Sequence, residues 1–414
     1  MPNDETVCEN RTGPGRPAVL SGVRVRRLAA VALVLAALNL RPAVTSLGPV
    51  LEEIRAGLGM SATVAGLLTS LPALCFALVG FTAPRLARRH GAGAVIAVGT
   101  ATVAAGLALR SFAQDTATFV ALSGLALAGI AVSNVLLPVV VKERFPDRVG
   151  AMTGLYAMAL NLGASAAAAV TVPLADTLGD WRVGIGAWAV VAAIAVPPWV
   201  ALARDRKASG SRAATATATP LTAQEVRVTR SPTAWALACY FGLQATAAYV
   251  IIGWLPQIFR DAGLSAGTAG LLFAVTSLLG VPLSYVLAAV AGRLRHQSGI
   301  ALTIGVFGLA GYAGLWAAPA AAPWLWAVLL GVSNCSFPLA LTMIGLRGKD
   351  GTTVIRLSAF AQSAGYLLSI PGPVLVGALY QNTGGWRAPL AFMMVLMLAQ
   401  MAAGLLAGRD RPVG

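Results

Sequence analysis

One arginine lies deep inside an apolar stretch of the chain. Arg41 follows Leu28, where the stretch begins, by thirteen residues, which is about 20 Å along a helix. A charge at that depth in a membrane costs roughly 2.5–3.5 kcal/mol, so the arginine is expected to have a functional partner. Its forked donors suit a carboxylate, cyanate or nitro group. Alternatively, Arg41 binds the Leu38 carbonyl, which Pro42 deprives of its helical donor.

The other ionisable groups lie away from this depth. All fifteen Asp and Glu residues fall in tails, predicted loops or the ends of apolar stretches, and so do His90 and His296. An arginine without a carboxylate partner favours an anionic or electron-rich ligand. The four cysteines are single and show neither disulfide nor metal-ligand spacing. No cofactor or metal is therefore expected.

Further polar side chains occur at a similar depth and are candidates for the same ligand site. Buried amides also bond helices to one another, and tyrosines also pack in cores, so each has a structural alternative. Thr45 lies one helical turn from Arg41 and shares its face. The remaining candidates are the amides Asn161, Gln244 and Gln362 and the tyrosines Tyr156, Tyr249 and Tyr366.

A Ser-Asn-x-x-x-Pro motif occurs twice and predicts two kinked helices. Pro138 frees the carbonyl of Asn134, and Pro338 frees the carbonyl of Asn334. Each amide then stands beside an open carbonyl, and we expect hinges at both places. Pro42 predicts a third hinge, beside Arg41.

The elements that position these residues are apolar helices that cross a membrane. The chain has 414 residues, of which 57% are hydrophobic and 11% charged, far below the roughly 25% charged of a soluble domain. Most basic residues lie in alternate loops, which predicts cytoplasmic termini and excludes a nucleic-acid-binding stripe. The predicted spans are 28–50, 61–83, 94–112, 118–141, 150–173, 183–203, 233–256, 266–291, 300–318, 323–346, 352–379 and 387–408.

The two halves of the chain repeat each other. At an offset of 204, the segment 51–68 matches 255–272 at nine positions, among them Ala65-Gly66 and Ala269-Gly270. Trp181-Arg182 and Trp386-Arg387 match as well, whereas Arg41 aligns with Ala245. Two six-helix bundles in the same orientation, with a substrate site between them, are typical of major facilitator transporters. The predicted division is a cytoplasmic tail at 1–27, bundles at 28–203 and 233–408, a linker at 204–232 and a tail at 409–414.

Four segments carry a resemblance to a known family. The segments Asn39–Ser46, Ala65–Pro72, Ala83–Arg89 and Leu357–Leu368 resemble the cyanate/nitroimidazole (CynX/NimT) transporter family of the major facilitator superfamily. The resemblance covers essentially 28–408 and implies a bacterial inner-membrane transporter of small molecules, associated with cyanate or nitroimidazoles. Residues 80–91 lack the acidic residue of the superfamily's usual loop, and span five lacks a Gly-Pro pair, which weakens a drug/proton antiporter reading.

We therefore expect an all-α membrane protein of twelve helices that moves a small anionic or electron-rich solute by alternating access. Coupling is expected to be uniport, anion exchange, or proton linkage through the substrate or an acid at a span end such as Asp176. The partners expected are the substrate and the lipid bilayer, with the chain acting as a monomer. The alternatives are an exporter of neutral drugs and a sensor built on a transporter fold; an enzyme is not expected.

Overall fold

The computed structural model describes residues 22–79, 82–208, 228–349 and 351–413, which are almost entirely helical. The first half contains helices α1 (Gly22–Leu38), α2 (Pro42–Thr45), α3 (Leu51–Leu58), α4 (Ala62–Val79), α5 (Ala83–His90), α6 (Ala92–Arg110), α7 (Thr116–Arg144), α8 (Val149–Leu178) and α9 (Trp181–Ala208). The second contains α10 (Pro232–Asp261), α11 (Ala266–Leu278), α12 (Gly280–Arg293), α13 (Ser298–Ala317), α14 (Pro323–Ser333), α15 (Ser336–Arg347), α16 (Gly351–Ser369), α17 (Pro371–Thr383) and α18 (Arg387–Ala407). Short 3-10 turns lie at Gly48–Val50, Pro146–Arg148 and Val228–Arg230.

Twelve spans within the described residues are long and apolar enough to cross a membrane, which confirms the predicted fold class. Spans 1 to 6 are formed by α1–α3, α4, α6, α7, α8 and α9, and spans 7 to 12 by α10, α11–α12, α13, α14–α15, α16–α17 and α18. Span 1 extends to Leu58, beyond the predicted end at 50, because α3 continues it. The predicted tail and linker fall largely outside the described residues, and the domain boundaries stay a prediction.

The two halves pack in the same way, as the repeat predicts. In the first half α6 packs against α7 and α9, and in the second α13 packs against α14 and α18. The serine of each repeated motif fills the same place, since the Ser133 hydroxyl lies against Gly99 of span 3 and the Ser333 hydroxyl against Gly308 of span 9. A Cβ at either glycine would crowd the serine hydroxyl, so the motif's serine packs closely against the neighbouring helix within each bundle.

The motif's prolines have different outcomes in the two halves. Helix α7 continues through Pro138 without a break. Span 10 is divided, because α14 ends at Ser333 and α15 begins at Ser336, with the Phe337 N–H directed to the Asn334 carbonyl at 3.4 Å. The break beside Asn334 is the one expected from Pro338, and the hinge roles of both motifs stay predictions.

Glycines bring the two halves into close contact at one end of the bundle. This closed end is the end at which the odd-numbered spans finish, opposite the end where α1 begins and α18 ends. A Cβ at Gly270 of span 8 would lie 2.5 Å from the Ala168 carbonyl oxygen of span 5, and one at Gly66 of span 2 would overlap the Pro373 carbonyl of span 11. Gly66 and Gly270 are equivalent in the repeat, so the contact is symmetric.

An ionic cluster joins the halves beyond these glycines. Arg260 of α10 is largely buried and pairs with Glu52 at 3.0 Å and Glu53 at 2.8 Å, both on α3. It also donates to the Pro49 carbonyl at 3.1 Å. The amide of Gln257 donates to Glu52 at 3.4 Å and to Asp261 at 2.7 Å, which extends the cluster. Carboxylates that the sequence places only in loops or at the ends of spans therefore connect α3 to α10.

Candidate substrate site

Arg41 lies at the break in span 1, between α1 and α2. Its side chain is half-buried, and within the described residues its guanidinium has no hydrogen bond or ion pair. The ionisable groups that act on its charge are the phenols of Tyr249 and Tyr366, both from the second half. The charged guanidinium of Arg41 thus has donors that no described residue accepts from, and its neighbours are the phenols of Tyr249 and Tyr366.

Arg41 and these two tyrosines lie just beyond the contacts of the closed end. Arg41 precedes Gly48 by seven residues, Tyr249 precedes Gly253 by four, and Tyr366 precedes Ile370 by four. Gly48 lies against the Ile252 carbonyl, Gly253 against Thr69, and the Ile370 carbonyl accepts a hydrogen bond from Ser70 at 2.8 Å. Because spans 1, 7 and 11 run in the same direction, all three side chains lie on the same side of these contacts, toward the termini.

Aromatic rings form a wall beside the arginine. Phe76 of span 2 stacks on Tyr366 of span 11, with ring centroids 5.4 Å apart and planes at 26°. Phe241 of span 7 meets the same tyrosine edge to face at 5.0 Å. Cys75 lies close enough to interact electrostatically with Tyr249. Flat rings from both halves next to a cation suit a small planar anion or an electron-rich ring.

The broken helix does not use Arg41 to satisfy its free carbonyls. Arg110, at the end of span 3, is 1% exposed and donates to the Ala43 carbonyl at 2.8 Å and to the Ser46 hydroxyl at 3.4 Å. The Leu38 carbonyl, the alternative partner expected for Arg41, lies against Gly163 of span 5, where a Cβ would overlap it. The charge that serves the backbone at this break is therefore Arg110.

Three of the other candidates bond to their own helices. The Thr45 hydroxyl is buried and donates to the Arg41 carbonyl at 3.1 Å, so it does not point into open space. Gln362 donates to Ser358 at 2.7 Å, and Asn161 donates to the Ala157 carbonyl at 3.1 Å. The carbonyl oxygens of these two amides keep their acceptor capacity. Asn161 also faces span 8, since a Cβ at Gly280 would lie 4.0 Å from its Oδ1.

The remaining two candidates lie closer to the protein core. Gln244 is 4% exposed, and its Oε1 has no hydrogen-bond partner among the described residues. Tyr156 is half-buried and packs against a hydrophobic core to which both halves contribute. The structure thus brings Arg41, Tyr249 and Tyr366 together, and the assignment of all eight residues to the substrate stays a prediction.

Sequence reasoning missed three residues that shape this site. In the sequence, Arg110 is only a basic residue at the outward end of span 3, where a charge needs no buried partner. Phe76 has no mark that separates it from ordinary lipid-facing aromatics. Asn39, which donates to the Leu35 carbonyl at 2.8 Å and to the Val191 carbonyl of span 6 at 3.2 Å, stands beside Arg41 and was available as a polar residue in an apolar run.

Two halves of six spans that meet at one end, with an arginine beyond the contact that has no ion pair among the described residues, are the arrangement of a polytopic membrane transporter. The model of the Major Facilitator Superfamily matches residues 33–347, and the chain belongs to this superfamily.

Three bacterial relatives are similar over nearly their full length. The chain is 35% identical to an uncharacterized transporter, YycB, of Bacillus subtilis (strain 168), over 92% of this chain and 93% of the relative. It is 32% identical to a 2-nitroimidazole transporter of Escherichia coli (strain K12), over 99% and 100%. It is 30% identical to the cyanate transport protein CynX of the same organism, over 89% and 94%.

The fold is also similar to that of a solved transporter. A crystal structure of a D-xylose-proton symporter matches with a TM-score of 0.75 at 12% identity, and covers 95% of this chain and 99% of the symporter. At this identity the likeness concerns the fold, which agrees with the twelve spans and the two packed halves.

Proposed function

We propose that this transporter moves a small anionic or electron-rich organic solute, cyanate-like or nitro-aromatic, across the bacterial inner membrane. The solute binds the free guanidinium of Arg41 and lies against Tyr249 and Tyr366. The observation that carries the proposal is that Arg41 has no partner among the described residues, while Arg110 serves the backbone of the same broken helix. The relatives named for 2-nitroimidazole and cyanate support a solute of this class.

The proposed orientation places both termini in the cytoplasm, following the basic residues of alternate loops. The closed end then faces the periplasm. The described groups that act on Arg41 are phenols and include no carboxylate. This favours uniport, anion exchange, or a proton carried by the substrate or by an acid at a span end such as Asp176, in a chain that works as a monomer.

A thermal-shift screen tests the proposal. Purified protein is heated with cyanate, nitrite, small carboxylates or nitroimidazoles, and a ligand that binds the folded state raises the melting temperature by mass action. We expect a shift for the wild type and none for Arg41→Ala, because the charged fork is gone. Arg41→Lys keeps the charge but loses the bidentate geometry, so an intermediate shift is expected.

Arg356→Ala is the matched control, since Arg356 is an arginine that also lies inside a predicted span. It should respond to the ligand as the wild type does. Equal shifts in wild type and Arg41→Ala, or shifts with neutral apolar drugs alone, would make Arg41 structural and favour an exporter of neutral compounds.

A further inference from the structure

Arg110 is a fully buried charge that the proposed mechanism does not use. It lies at the end of α6, is 1% exposed, and has no ion pair within the part of the chain that the structure describes. Its ring neighbour is Phe119, whose centroid lies 6.0 Å from the guanidinium carbon. A buried arginine without a carboxylate is expensive to keep, so its hydrogen bonds to span 1 need an explanation.

Those bonds replace a donor that the helix of span 1 has lost. In a continuous α-helix the Ala43 carbonyl would accept from the Leu47 N–H, but that N–H bonds to the Val44 carbonyl at 3.0 Å. The local winding is therefore tighter than an α-helix. Arg110 Nη1 takes the vacant place at 2.8 Å from the Ala43 oxygen. A buried carbonyl inside a membrane protein needs such a donor.

The segment that Arg110 holds is the one that carries the proposed ligand contact. Arg41 is the residue immediately before α2, and its carbonyl accepts from the N–H groups of Val44 and Thr45 at 3.0 Å each. The direction of the Arg41 side chain thus follows the winding of α2. If the Ala43 carbonyl again accepts from the Leu47 N–H, the turn after α2 changes from 3-10 to α geometry. Each residue of that turn then rotates about the helix axis by about 20° less, so α2 and the Arg41 side chain before it rotate relative to the rest of span 1.

We propose that Arg110 is a positioning residue for Arg41: by donating to the Ala43 carbonyl it keeps the tight turn that follows α2, and thereby holds α2 in the rotation that directs Arg41 toward Tyr249 and Tyr366. Arg110 itself does not touch the solute. This inference rests on the proposed function for its importance in transport, but the geometry on which it depends is independent of any ligand.

A ligand-free labelling experiment tests the geometry. In full-length protein with its native cysteines replaced, Arg41→Cys is modified by a small charged thiol reagent, with and without Arg110→Met. Methionine fills part of the same space but has no donor. We expect the modification rate to fall by at least about fivefold, the factor that corresponds to about 1 kcal/mol, the lower value for an unpaired buried acceptor. Tyr249→Cys, on the opposite wall, is the matched control and should react at an unchanged rate.

An unchanged rate at position 41, or an equal fall at positions 41 and 249, would overturn the proposal, because Arg110 would then be an anchor of the bundle without a specific effect on Arg41. If Arg110→Met does not fold, Arg110→Gln is used, whose amide is two bonds shorter than the guanidinium and does not reach Ala43. The same fall at position 41 is expected, and its absence contradicts the proposal equally.

A double-mutant cycle adds a readout that a merely structural role would not move. With cyanate or a nitroimidazole that stabilises the wild type, Arg110→Met should weaken binding by at least about fivefold when Arg41 is present and have a smaller effect in Arg41→Lys, which keeps an intermediate, measurable shift. An equal loss in both backgrounds would refute a role through Arg41. If Arg41→Ala binds as the wild type does, the proposed function fails, while the labelling result still decides the positioning role.

Discussion

The glycine contacts at the closed end predict how alternating access can be biased. In Gly270→Ala the new Cβ would lie 2.5 Å from the Ala168 carbonyl oxygen, whereas ordinary contacts begin near 3.4 Å, so spans 5 and 8 must separate by about 0.9 Å. Overpacking of this kind costs about 1–3 kcal/mol. The strain exists only while this end is closed, so the ratio of closed to open conformers should fall by about 5- to 150-fold.

Spin labels at positions 63 and 381 report the closure directly. Thr63 and Gln381 lie on opposite halves, and their side chains are hydrogen-bonded at 3.0 Å. We expect Gly270→Ala to add a longer distance to the distribution between the two labels. Gly267→Ala is the matched control, because it lies in the same helix and its Cβ would meet nothing within 4 Å. Both substitutions replace a glycine of α11 by alanine, so a gain in helix propensity alone would not separate closed from open conformers. Identical distance distributions for the two variants would refute the reasoning.

Two further perturbations address the cluster and the wall. Arg260→Gln removes the ion pairs to Glu52 and Glu53, and the same label pair should show a larger open fraction. The difference from wild type should shrink in high salt, because the carboxylates are partly exposed. A difference that does not depend on salt would contradict the electrostatic explanation. Phe76→Leu removes the ring that stacks on Tyr366, and stacked aromatic rings contribute about 0.5–1.5 kcal/mol. In a thermal-shift assay, the stabilisation by nitroimidazole should therefore decrease more than the stabilisation by cyanate. Equal decreases would show that the aromatic wall does not contact the solute.

The spans were predictable because hydropathy along the chain reports directly on the membrane. The repeat also marked Gly66 and Gly270 as equivalent, although their role in closing one end depends on spans 5 and 11, which no local pattern connects to them. The two Ser-Asn-x-x-x-Pro motifs show the limit of local reasoning. Span 4 continues through Pro138, whereas span 10 is divided beside Asn334, so packing around the motif decides whether the helix breaks.

The candidate site was predictable in part, for a similar reason. Arg41 stood out because a charge in an apolar stretch is rare, and the structure leaves it without a partner among the described residues. Nothing in the sequence indicated that Arg110, and not Arg41, would donate to the backbone of the broken helix. Arg110 lies at the end of an apolar span, where a charge usually reaches the membrane surface, and its side chain is instead buried and bonded to span 1.

The unequal division of charge between the halves has a consequence for how cargo travels. Arg41, the arginine of the candidate site, belongs to the first bundle, whereas Tyr249 and Tyr366 belong to the second. Under the proposed assignment, a bound anion stays paired with Arg41 of the first bundle throughout the conformational change, while its contacts with the aromatic side chains of the second bundle change. The first bundle then carries the anion, and the second bundle exchanges its hydroxyl contacts with the anion while the ion pair to Arg41 persists.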